Sequence, residues 1–131
     1  MRKSFCIAAF STLILFFSCN KVPYKGSDLT SQKKWILTET LADPGDGSGK
    51  WTSVDKQNYY FIKFYDDGSV ETNIYTSLGG LKRFKIINDS SINFIYANGN
   101  TFKLFYKIID FSLTISGGCT EACGSKFKAD F

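Results

Sequence analysis

The chain has 131 residues, which suggests a single domain, and its 17% aromatic content with only two prolines favours a packed β-rich fold over disorder. The formal net charge is +4, but the basic residues are scattered along the chain, so no clustered basic surface for nucleic acid is expected. The sequence has no histidine, which removes the commonest general base and the commonest metal ligand.

The first nineteen residues have the organisation of a bacterial export signal. Arg2 and Lys3 form a positive n-region, and residues 5–17 are apolar or small. This run is shorter than the ~20 apolar residues that a membrane-spanning helix needs. Ser18 and Cys19 match the end of a lipobox, in which a small residue precedes the cysteine that receives lipid. We therefore predict that residues 1–18 are a lipoprotein signal peptide and that Cys19 is lipidated.

An alternative is an ordinary cleaved signal in which Cys19 is incidental. In the lipoprotein interpretation, residues 19–27 are a polar tether and residues 28–131 are the folded domain. Without Arg2 and Lys3, fourteen basic residues face twelve acidic ones, a net charge of +2. Asn20 is not an aspartate, which by resemblance to bacterial sorting signals favours the periplasmic face of the outer membrane. The expected partner is therefore a membrane, to which the protein is attached through acyl chains such as palmitate on Cys19.

Nine short runs after the tether have the composition of β-strands. The breaks between them carry turn residues, among them Asp67-Gly68, Gly79-Gly80 and Asn98-Gly99, which supply the backbone conformations that tight hairpins demand. The predicted strands are 34–40, 50–54, 59–65, 69–76, 81–87, 91–97, 101–109, 111–116 and 126–131.

Several of these runs alternate between apolar and charged residues. In the run 101–109, Leu104 and Tyr106 alternate with Lys103 and Lys107, so one face is expected to be buried. About eight such strands at even spacing predict an all-β fold, a small up-and-down antiparallel β-barrel. The inward stripe either lines an apolar ligand pocket or fills the core; its candidate pocket residues are Trp35, Tyr60, Ile62, Phe64, Phe84, Phe94, Tyr96, Phe102, Leu104 and Tyr106.

A polar, glycine-rich stretch covers residues 42–51, between the first two predicted strands. It is interpreted as a flexible loop, with a lid over a barrel opening as the alternative. Asp43 and Asp46 suggest calcium, but the alternating acidic pattern of an EF-hand is missing. No metal site and no cofactor are predicted.

Cys119 and Cys123 lie four residues apart in a glycine-rich segment. In an oxidising compartment two nearby cysteines usually pair, so a structural disulfide is expected. Two free thiols and a redox-active pair are the alternatives, although the spacing differs from the Cys-x-x-Cys of redox motifs.

Three segments together resemble the small lipocalin-like lipoproteins of bacteria. They are Trp35 at the start of the first strand, the strand and turn at 62–68, and the Cys-x₃-Cys-x₂-Lys-Phe segment at 119–127. The resemblance spans nearly the whole folded part. It implies a lipocalin-like barrel and a location in the cell envelope.

No catalytic residues are predicted, because the chain lacks histidine and the Gly-x-Ser-x-Gly nucleophile motif. The sequence therefore favours a non-enzymatic envelope lipoprotein whose barrel binds a small hydrophobic molecule or an envelope protein. The alternative is a structural or protein-interaction module with a filled barrel. A hydrolase is a remote third class.

Overall fold

The computed structural model describes residues 29–32, 34–75 and 78–130. These residues form nine strands and include the 3-10 turn Lys56–Asn58. The strands are β1 (Lys34–Ala42), β2 (Lys50–Ser53), β3 (Phe61–Phe64), β4 (Val70–Thr72), β5 (Leu81–Asn88), β6 (Ser91–Tyr96), β7 (Thr101–Ile109), β8 (Ser112–Ser116) and β9 (Cys123–Asp130).

Eight of these strands follow one another around an antiparallel up-and-down barrel. Their hydrogen-bonded order is β4-β3-β1-β9-β8-β7-β6-β5. The two outermost strands, β4 and β5, approach each other through a bridge between Ser69 and Arg83 and through the Phe84 amide, which donates to the Gly68 carbonyl at 2.9 Å. The predicted small all-β barrel is therefore confirmed, with closure nearly complete.

The remaining strand, β2, lies outside this order of eight. It pairs with the second half of β1, where Leu41 lies opposite Trp51. The first half of the same β1 edge pairs with β3, where Trp35 lies opposite Ile62. The long strand β1 therefore pairs with two short strands along one edge, and β2 lies within the connection between β1 and β3.

The alternation predicted for β7 is present. Leu104, Tyr106 and Ile108 are buried, and the residues between them are exposed. Leu104 lies opposite Ile92 of β6, and Tyr106 lies opposite Ile115 of β8, so buried residues of neighbouring strands share one face. A shift of one residue would turn the lysines of β7 into the interior, and this fixes the register.

Large side chains fill the middle of the barrel. The ring of Phe64 lies 5.0 Å from that of Phe84 and 6.1 Å from that of Phe94, measured between centroids. Such contacts make this region a packed core. The largest side chains with almost no exposure are Trp35, Phe64, Phe94, Phe127, Leu29, Ile62, Ile92 and Leu113.

One end of the barrel is closed by Leu29 and Trp35. Both side chains are buried, and the indole Nε1 of Trp35 donates to the Leu29 carbonyl at 3.0 Å. The bond satisfies the indole nitrogen inside an apolar core and ties the segment before β1 to the barrel. We call this end, where β1 begins and β7 ends, the plugged end.

Several strand bounds differ from the prediction: β3 and β4 are shorter than predicted, at Phe61–Phe64 and Val70–Thr72, and β1 is longer, ending at Ala42. Two further differences have local reasons. Phe111, expected in a strand, lies in the two-residue turn between β7 and β8, where Asp110 and Phe111 have φ values of 46° and 62°. β9 begins at Cys123, three residues before the predicted start, because Gly124 and Ser125 pair with Leu41 and Thr40 of β1.

The predicted signal peptide, Cys19 and the tether lie outside the described residues. Within the described ranges, no helix has the length and apolar character needed to cross a membrane.

Candidate ligand-binding site at the barrel mouth

Two adjoining cavities lie at the end of the barrel opposite the plugged end. The first has a volume of about 420 Å³ and the second about 340 Å³. Both are lined by Leu78, Leu104 and Gly117, so they form neighbouring parts of one opening. We call this opening the mouth.

Tyr96 and Phe102 form an aromatic wall of the mouth. Tyr96 ends β6 and Phe102 is the second residue of β7, so the hairpin between these strands brings the two rings together. Their centroids are 5.3 Å apart and the rings meet edge to face. Burial raises the pKa of the Tyr96 phenol above its usual value.

The hairpin tip adds polar groups to this wall. Asn98 and Asn100 line the first cavity, and the Asn98 side-chain oxygen accepts a hydrogen bond from the Asn100 amide at 3.0 Å. The mouth thus combines an apolar wall with a few amide groups at its rim. This composition is common in sites that bind small molecules.

Two glycines line the mouth next to Leu104. Gly117 and Gly118 have φ values of 98° and 84°, which side-chain-bearing residues rarely adopt. A Cβ atom on Gly118 would lie 2.8 Å from the Cδ2 atom of Leu104. Any larger residue here would therefore push Leu104 and reshape the cavity.

The two cysteines form a disulfide beside the mouth. Cys119 and Cys123 are bonded, with their Cα atoms 6.1 Å apart. Cys119 lines the first cavity and Cys123 the second. The bridge closes a short loop between β8 and β9, so it shapes the rim of the mouth.

Thiol titration of the mature protein, unfolded without reductant, should find neither Cys119 nor Cys123 free, because their sulfur atoms are bonded to each other. Reduction before titration should release two thiols and serves as the control. Two titratable thiols in the unreduced sample would contradict the bond.

The glycine-rich loop after β1 is organised around Asp43. Its carboxylate accepts hydrogen bonds from the amides of Gly45, Gly47 and Gly49 at 2.8–3.1 Å. These bonds, that of Gly45 foremost, lower the pKa of Asp43. The carboxylate oxygens are engaged by the loop itself. Across the described ranges, no group of three or more Asp, Glu, Cys or His residues is arranged to hold a metal ion.

The structure divides the predicted pocket residues into two groups. Tyr96, Phe102 and Leu104 line the mouth. The others lie deeper, where Trp35, Ile62, Phe64, Phe94 and Tyr106 are buried in the core and Tyr60 and Phe84 pack against it.

Phe102 differs from the expected inward position in its exposure. It has the parity of Leu104, but its side chain is 46% exposed. The reason is its position next to the hairpin, where the barrel opens. Tyr106 lies towards the other end of the barrel. Its hydroxyl is near the plugged end and donates a hydrogen bond to the Asn88 carbonyl at 3.3 Å.

The sequence prediction missed the lining residues supplied by turns. The sequence identifies them only as turn formers. Strand direction is the signal that could locate them, since every second turn of an up-and-down barrel lies at the same end. These residues are Leu78, Gly79, Asn98, Asn100, Gly117 and Gly118.

A further cavity of about 500 Å³ lies on the outer wall beside β1 and β2. Its lining includes Glu39, Asp55, Lys56 and Lys128. Four charged side chains make this cavity a poorer match for an apolar ligand than the mouth.

Comparisons with protein-family models, with curated proteins and with solved structures found no match. The resemblance to lipocalin-like lipoproteins therefore stays a prediction.

Proposed function

We propose that this protein is an exported lipoprotein of the bacterial cell envelope and that its barrel mouth binds a small hydrophobic molecule. The observation that carries the ligand proposal is the pair of adjoining cavities at the mouth, about 420 and 340 Å³ in volume. Each exceeds the ~300 Å³ at which small-molecule sites begin.

The chemistry of the mouth favours an apolar ligand of modest size. Leu78, Leu104 and the rings of Tyr96 and Phe102 offer contact surface, and Asn98 and Asn100 offer hydrogen bonds at the rim. Among the described residues, no charged side chain lines either cavity. Below Leu104 the packed core limits the depth of the site, so the ligand would occupy the mouth and not the barrel axis.

The location is supported by the sequence of the first nineteen residues. The positive n-region, the short apolar run and Ser18-Cys19 favour export and lipidation. The disulfide is consistent with an oxidising compartment. The outer membrane, on its periplasmic face, is the proposed site of anchoring.

The ligand proposal is tested by removing the ring of Phe102. Phe102→Ala should weaken binding of the uncharged apolar dye N-phenylnaphthylamine by about fivefold or more, because a large part of the apolar wall is lost. Since the side chain is 46% exposed, thermal stability should change little. Dye fluorescence titration and thermal unfolding measure the two effects.

Phe105→Ala is the matched control. It removes the same ring from the same strand, but Phe105 is 54% exposed on the outer face and lines neither mouth cavity. Dye affinity should be unchanged in this variant. Absence of dye binding in the wild-type protein, together with native mass spectra that contain no co-purifying small molecule, would reject the ligand proposal.

The second candidate function is a protein-interaction module of the envelope. The packed core favours it, because a filled barrel needs no ligand to be stable. Rejection of dye binding in the experiment above would leave this candidate as the better one.

A further inference from the structure

The plugged end is where the folded domain receives the chain from its N-terminal side. Leu29 is the first described residue, and its side chain is buried against Trp35 at this end. Ten residue steps separate Leu29 from Cys19, a reach of at most ~35 Å when fully extended. A lipid on Cys19 would therefore keep the plugged end within ~35 Å of the bilayer.

Two exposed apolar side chains lie at the same end. Ile109 ends β7 and is 45% exposed, and Phe111 in the following turn is 46% exposed. The Phe111 carbonyl accepts a hydrogen bond from the Ala129 amide, and Ala129 lies opposite Trp35 of β1. Phe111 is thus two strand spacings, roughly 10 Å, from the strand that follows the tether.

The turn that presents Phe111 is strained for its residues. Asp110 and Phe111 both have left-handed backbone conformations, at φ 46° and 62°. Two-residue hairpin turns of this type favour Asn-Gly or Asp-Gly. A phenylalanine in the second position adopts this conformation less easily than glycine does, and it places a large apolar side chain at the tip of the hairpin. Strain at an exposed position is a reason to look for a binding role.

We infer that Phe111 and Ile109 insert into the lipid interface beside the anchor. The plugged end then rests on the bilayer, and the mouth opens away from it. This orientation follows from the length of β7, whose nine residues span roughly 30 Å between the turn that bears Phe111 and the hairpin next to Phe102. A ligand would exchange with the aqueous compartment. The inference rests on the proposed lipidation of Cys19.

The test uses the full-length lipidated protein in vesicles of phosphatidylethanolamine and phosphatidylglycerol with brominated acyl chains. Tryptophan is introduced by Phe111→Trp or, as a control on the outer wall midway along β7, by Phe105→Trp. The emission added by Phe111→Trp over the wild-type protein should be mostly lost to bromine quenching. The emission added by Phe105→Trp should be retained.

Vesicle flotation separates failure of the inference from failure of the anchor. Protein that floats with the vesicles while Phe111→Trp stays unquenched would overturn the membrane contact and leave lipidation intact. Quenching at both positions would overturn the end-on orientation, since the barrel would then lie on its side. Protein that does not float would overturn lipidation and this inference with it.

Phe111→Gly guards against a folding artefact. Glycine suits a φ of 62°, so its melting temperature should equal or exceed that of the wild-type protein. Ile109→Trp provides a second tryptophan probe at this end. Bromine should quench its emission less in the double variant Phe111→Gly, Ile109→Trp than in the single variant Ile109→Trp. Equal quenching in the two proteins would contradict a role for Phe111.

Discussion

Trp35→Ala should lower the free energy of unfolding by about 3–5 kcal/mol, as truncations of large buried aromatics do. Trp35 has almost no exposed surface and packs at the plugged end, so its removal leaves a cavity that the surrounding strands cannot fill. It also removes the hydrogen bond to the Leu29 carbonyl. Because domains of this size are stable by about 5–15 kcal/mol, much of the total would be lost. Urea unfolding, monitored by circular dichroism, measures the change in the free energy of unfolding.

The second tryptophan provides the control. Trp51 is 36% exposed on the outer face, where its ring lies 4.0 Å from the Lys126 ammonium. Trp51→Ala should therefore cost only about 1 kcal/mol, mainly through the lost cation–π contact. Equal destabilisation by the two variants would show that the plugged end is not part of the cooperative core.

Strand alternation was the most informative signal in the sequence. It located β7 at its observed bounds because lysines mark the outer face and apolar residues the inner face along the whole strand. The turn residues between the runs then gave the antiparallel order. These are local signals, and a barrel made of sequential hairpins is assembled mainly from local pairings.

β9 shows where local signals are insufficient. Residues 123–125 have no apolar alternation, so their strand character is set by pairing with β1 and β8. Gly124 has a tertiary reason to be small, because a Cβ atom there would lie 2.9 Å from the Trp51 ring. Neither contact can be inferred from the segment alone.

The candidate site was harder to predict than the fold. Sequence parity identifies which residues point inward but not how completely the packing across the barrel covers each one. Phe94 and Phe102 share a face and lie opposite each other, yet Phe94 is buried and Phe102 is half exposed. The depth at which the core ends decides which residues are available to a ligand, and it depends on packing across the barrel.

Cys19→Ser should abolish lipid labelling and move the protein from the membrane to the soluble periplasmic fraction. Acyl chains contribute ~0.8 kcal/mol for each buried CH₂ group, and two chains anchor stably where one does not. The tether after Cys19 is short and polar, so it offers no second means of membrane attachment of comparable strength. Metabolic labelling with a radioactive fatty acid and fractionation of the cells measure both effects.

Cys6→Ser is the matched control for this loss. Cys6 lies near the start of the apolar run, with almost no h-region before it, so it does not fit as a lipid acceptor. This variant should keep both the label and the membrane location. Membrane retention of unlabelled Cys19→Ser protein would show an attachment other than the lipid, whereas label on Cys19→Ser would place the lipid on another residue. The Ser18-Cys19 signal predicts that Cys19 is required for labelling and membrane location and that Cys6 is not.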